Sequence, residues 1–166
     1  MGNNKIQISQ LSLSLKVLTT CFIVTMFIGY GIALLKIIQI SGIDINFDQV
    51  QTYYNGDEAS EGIFLPQSYE ALLSVVHVHS LSQPLMFALM ALAFCFTSLR
   101  EKIKAGLITL SFIGMLMGNA TPWLIRYVEA SLVYLFPISQ LMMGPIFFFM
   151  GLMVLYESWL ITESAK

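Results

Sequence analysis

"VLTTCFIVTMFIGYGIALL", residues 17–35, stands between Lys16 and Lys36 without one charged side chain. An α-helix rises ~1.5 Å per residue, so these nineteen residues nearly cover the ~30 Å hydrocarbon core of a bilayer. A secretory leader has a shorter apolar region and an A-x-A cleavage pattern, and this stretch has neither. It reads as a first membrane span that stays attached. "MGNNKI" ahead of it carries Ile6 where a myristoylation signal wants Ser or Thr.

Three further runs repeat the design. One covers 71–99 and stops at Arg100, one follows Lys104 to about residue 125, and one covers about 133–156. With the first span at about 17–36, the 166 residues form one membrane domain, an all-α integral membrane four-helix bundle. Composition agrees: 57% of residues are hydrophobic and 11% are charged, whereas a soluble domain carries about 25% charged residues to coat its surface. Mean hydropathy is +0.76. The net charge of −2 and the lack of a basic stripe point away from nucleic acid. Cys21 and Cys95 have no CxxC spacing and read as small apolar fillers within helices.

Lysine and arginine placement orients the bundle. With the N-terminus inside, the inner segments hold Lys5, Lys16, Arg100, Lys102, Lys104 and Lys166, and the outer ones hold Lys36 and Arg126. Both termini are then cytoplasmic. The expected location is a bacterial inner (plasma) membrane with loop 41–70 on the outer side. That loop carries Asp44, Asp48, Asp57, Glu58, Glu61 and Glu70 and no lysine or arginine. Its spacing fits no EF-hand, so it reads as a solvated acidic, turn-rich surface. Pro66-Gln67-Ser68 reads as a stop followed by a helix N-cap.

Both histidines, His77 and His79, lie in "SVVHVHSLSQP", residues 74–84. Counting twenty residues back from Arg100 puts them at the outer edge of the second span. The same depth receives Asn119, Thr121 and Pro122 on the third span, with Arg126 and Glu129 following, and Ser139 and Gln140 on the fourth. Ser82 and Gln83 join from the second. Polar residues at one depth on three helices fit a pocket open to the outer side, and they equally fit ordinary interfacial composition. On a regular helix, residues i and i+2 point about 200° apart, so His77 and His79 cannot grip one metal unless the turn before Pro84 is distorted. No histidine lies outside this span, so a bis-histidine haem within one subunit is excluded. A haem b shared across a homodimer, ligated by His–Met or completed by another subunit, or copper held by the same residue types, stays open, with Arg126 available to a propionate. Met86, Met90, Met115, Met117, Met142 and Met143 are the thioethers at hand, and as core filler they need no metal. Glu70 lies two turns before His77, close enough to share a face.

No G-x-S-x-G, H-E-x-x-H or phosphate-binding glycine loop is present. Gly114-x-x-x-Gly118 and the Gly29/Gly31 pair offer close helix approach. Arg126 and Glu129 are spaced to pair on one helix. Tyr156 and Trp159 sit where an inner aromatic belt belongs.

Tyr53-Tyr54-Asn55-Gly56, Phe64-Leu65-Pro66 and the His77-x-His79 stretch with Pro84 together resemble small four-helix bacterial inner-membrane proteins. The resemblance covers roughly the middle third of the chain. It implies the same topology and singles out the same histidines, and it brings no activity with it. Two function classes remain. One is a non-catalytic subunit or assembly factor packed against other membrane subunits or a second copy. The other is a haem- or copper-binding electron-transfer protein that uses His77 and His79, with Asn119, Arg126 and Gln140 around the cofactor.

Overall fold

The computed structural model describes residues 7–57 and 65–161, and it is helical with no strand among them. Lys5, Glu58, Glu61, Phe64 and Lys166 of the sequence reading lie outside the described residues. Four helices are long and apolar enough to cross a bilayer: α1 (Leu13–Ser41), α3 (Tyr69–Cys95), α4 (Glu101–Tyr127) and α5 (Leu135–Trp159). A 3-10 segment, Ala130–Tyr134, leads into α5. The chain is an integral membrane four-helix bundle.

The fifth helix, α2 (Phe47–Asn55), falls inside the loop that reads as turns in the sequence. Asn46 starts it, its side chain accepting from the Asp48 and Gln49 amides. Phe47, Val50 and Tyr54 are spaced for one face, and Val50 and Tyr54 are buried on Leu72, Ile125 and Val133. Gly56 at φ 79° ends it, a conformation that favours glycine. This helix caps one end of the bundle, called the α2 end below. Gln51 Nε2 donates to the Ala130 carbonyl at 3.1 Å, and the Gln67 amide donates to the Tyr54 carbonyl at 3.0 Å.

Ser68 caps α3 by accepting from the Ala71 amide at 3.1 Å. Pro84 leaves α3 continuous. The helix stops at Cys95, although the uncharged run continues to Leu99. Two buried charges explain the early stop. Lys104 Nζ reaches back to the carbonyls of Cys95 at 2.6 Å and Thr97 at 3.2 Å, and pairs with Glu101 at 2.9 Å. A cation at the last carbonyls of a helix satisfies acceptors that have no partner within it. From α5, the Glu157 carboxylate accepts from the Ser98 amide at 2.8 and 3.0 Å and from its hydroxyl at 2.7 Å. The 3-10 turn Ile8–Gln10 packs on the same corner, its Ile8 amide donating to the Phe96 carbonyl.

α4 and α5 are the most closely packed pair. The glycines of Gly114-x-x-x-Gly118 are the reason: a Cβ on Gly114 would lie 2.8 Å from the Met142 Cβ, and one on Gly118 3.3 Å from the Ser139 hydroxyl. This motif therefore serves the bundle's own interior. α1 leans on α5 by different means. Its Phe27 ring fills the space above Gly151, and its Tyr30 hydroxyl occupies the space a side chain at Gly144 would need. Phe27 and Tyr30 also meet Phe147 and Phe148, with centroids 4.7–6.0 Å apart. Near the opposite end from α2, the Trp159 indole donates to Thr20 at 2.9 Å. α1 and α3 meet at few points.

Candidate functional site

Leaving α1 and α3 apart opens a cavity of about 660 Å³ between them, backed by α4 and α5 and roofed by Tyr53, Tyr54 and Gln67. On α3 its wall runs from Ala71 to Phe87, a rise of ~24 Å. The volume lies within the usual range of small-molecule sites, ~300–1,000 Å³. The deep part is apolar, closed by Met26, Phe87, Met115, Met143 and Phe147.

His79, Gln83, Asn119 and Gln140 face this one space from three helices. Their side chains make no hydrogen bond to other described residues. Ser82 also lines it, with its hydroxyl given to the Val78 carbonyl at 2.8 Å. Lys36 stands at the rim and donates to Gln39 at 3.1 Å. No aspartate or glutamate is among the lining residues. The roof belongs to the buried α2: the Tyr54 phenol is pushed up to about 12 by burial first, then by neighbouring Tyr53.

Three of the five candidate residues read from the sequence thus share a cavity: His79, Asn119 and Gln140. The other two do not line it. α3 is regular through 77 and 79, so the histidines diverge by about 200°; His77 is exposed and lies outside the cavity wall. Arg126 is spent on the roof, its Nε donating to the Gln67 carbonyl at 3.3 Å while its guanidinium lies 5.4 Å from the Tyr127 ring. The expected Arg126–Glu129 pair does not form, because α4 ends at Tyr127 and Glu129 is already extended. Glu70 and His77 do not bond either. Among the described residues no group of three His, Cys, Asp or Glu side chains converges as a metal site.

Sequence reasoning missed Tyr53, Tyr54 and Gln67, because they enter the site only through α2 and its tie to residue 67. The available signal was the Phe47, Val50, Tyr54 spacing behind an asparagine cap.

Comparison with known proteins gives one family. A model described as a transmembrane helical domain matches residues 44–165, which span α2 to α5 and hence the roof and three walls of the cavity. No curated protein and no solved structure matches the chain. With the match extending over well over half of its length, the chain belongs to the Aq_1264_TM family of transmembrane helical domains.

Proposed function

We propose that this protein is a non-catalytic subunit or assembly factor of a larger membrane complex, held in a bacterial inner membrane with both termini cytoplasmic and loop 41–70 outside. The observation that carries the reading is the state of α1. Only 6% of its most apolar stretch is buried within the chain, against 44% for the span that contains α5. A side chain placed on Gly31, which does not line the cavity, would meet nothing within 4 Å. An open glycine on a spanning helix allows another helix to approach closely. The buried charges Lys104 and Glu157 serve the α3–α4 corner and leave no acid–base pair for chemistry there. The orientation rests on the lysine and arginine asymmetry.

Isolation from native membranes after mild cross-linking tests this. A defined set of larger membrane partners, cross-linked through α1, is the expected result. A stable lone species from the native membrane overturns it.

A second reading has one observation in its favour: His79 shares its cavity with Met26, Met86, Met115 and Met143. Imidazole plus thioether suits haem b or copper(I). The site residues for that reading are His79, Asn119 and Gln140, with His77 and Arg126 directed elsewhere. A visible spectrum and metal analysis of the natively expressed protein decide it. A colourless, copper-free protein unchanged by His79→Ala and His77→Ala rules it out.

A further inference from the structure

We propose that the cavity between α1 and α3 binds a single membrane amphiphile, a long apolar tail bearing a head whose oxygen accepts hydrogen bonds. The inference goes beyond the subunit reading and stands independently of any protein partner. Three observations carry it. First, the cavity wall follows α3 for ~24 Å from Ala71 to Phe87, and its Val76–Phe87 part, ~17 Å long, falls within the apolar stretch that ends at Cys95, a shape that suits a tail lying along the helices. Second, His79, Gln83, Asn119 and Gln140 converge on it with no protein partner for their side chains among the described residues. In a bilayer, polar groups left this way need a polar ligand or water. Third, the charge is one-sided: Lys36 at the rim and no carboxylate in the lining. Amide, imidazole and ammonium donors without a competing acid favour a carbonyl, quinone or carboxylate oxygen over a cationic head.

Entry is from the side. His79, Val75 and Val78 are both exposed and part of the wall, so the mouth lies along α3 where α1 stands off. The ligand reaches the donors from within the membrane and need not cross α2.

Two ligand sources share this chemistry, fatty acids and isoprenoid-type quinones. The test uses the full chain in phosphatidylcholine nanodiscs with two photoreactive probes, a diazirine-bearing palmitate and an azido-quinone with a decyl tail. Sites are mapped by peptide mass spectrometry. Saturable labelling of cavity-wall residues is expected from at least one probe. Displacement by excess oleate names the fatty-acid source, and displacement by unlabelled decyl-quinone names the quinone source. Gly29 lines the cavity and a Cβ there meets nothing within 4 Å, so the indole of Gly29→Trp projects into the cavity and sharply reduces the labelling. Gly31→Trp, equally unobstructed but outside the wall, leaves it intact. Asn119→Leu and Gln140→Leu each weaken binding by about 5–10-fold, as expected for one lost hydrogen bond. Labelling that neither competitor displaces, or that Gly29→Trp leaves unchanged, overturns the proposal.

Discussion

Glu157→Ala removes the carboxylate that holds the α3–α4 corner. Glu157 is 3% exposed and accepts three contacts from Ser98, two from its amide and one from its hydroxyl. Hydrogen bonds to a charged acceptor contribute about 1.5–3 kcal/mol each. Ser98 itself is exposed, so water recovers part of the loss, and the expected net cost is about 2–4 kcal/mol. For a chain of this size each kcal/mol moves the midpoint by about 2–4 °C. Thermal unfolding in one detergent, followed by helical circular dichroism, is therefore expected to fall by roughly 5–15 °C. Glu157→Gln keeps one acceptor oxygen and falls by less. Glu129→Ala, at an exposed position without an ion pair among the described residues, stays within about 0.5 kcal/mol of the parent. A Glu157→Ala midpoint within about 2 °C of the parent would refute the role given to this carboxylate.

Gly114→Ala pushes a methyl to 2.8 Å from the Met142 Cβ and 3.0 Å from the Ser139 backbone oxygen, so it costs about 1–3 kcal/mol by overpacking; Gly31→Ala, with open space, is neutral in the same melt. The raised Tyr54 phenol gives α2 an alkaline limit. Its folded value of about 12 exceeds the ordinary 10.0, so the folded state holds the proton more tightly; this contribution is complete below pH 10 and is lost as pH rises through 12. Helical circular dichroism is expected to show a loss of stability over that window that Tyr54→Phe reduces. For orientation, Asp57→Cys with Cys21 and Cys95 changed to alanine is expected to react with a membrane-impermeant maleimide in intact cells; reaction only after the cytoplasmic side is exposed reverses the topology.

Much of the architecture is written in where charges stop. Lys16, Lys36, Arg100 and Lys104 bracket the spans, and a helix must satisfy its own backbone in lipid. Hydropathy weighs a charge but not its destination, which is why Lys104 bounds the third run and Glu157 falls just past the fourth although both are buried. Their role exists only once residues 96–100 turn between α3 and α4. The divergence of His77 and His79 follows from helical spacing alone. Which of them faces inward depends on where α1 sits, and that depends on Phe27 and Tyr30 finding Gly151 and Gly144 far along the chain. The helix stop at Cys95 also changes the depth count: twenty residues back from Cys95 reaches Val76, so His79 lies about one turn further into the apolar stretch than a count from Arg100 places it. α2 was masked by its acidic, tyrosine-rich surroundings, its apolar face being only three residues in nine.

The central claim is that position 79 opens on a cavity bounded by α1 while position 77 does not. In a Cys21→Ala, Cys95→Ala background, His79→Cys and His77→Cys are each reacted with a membrane-permeant maleimide, with and without Gly29→Trp. The indole placed in the cavity must slow the reaction of the His79→Cys protein by about threefold or more and leave that of the His77→Cys protein unchanged, since the two positions face about 200° apart. Equal slowing at both positions, or none at position 79, would contradict the claim.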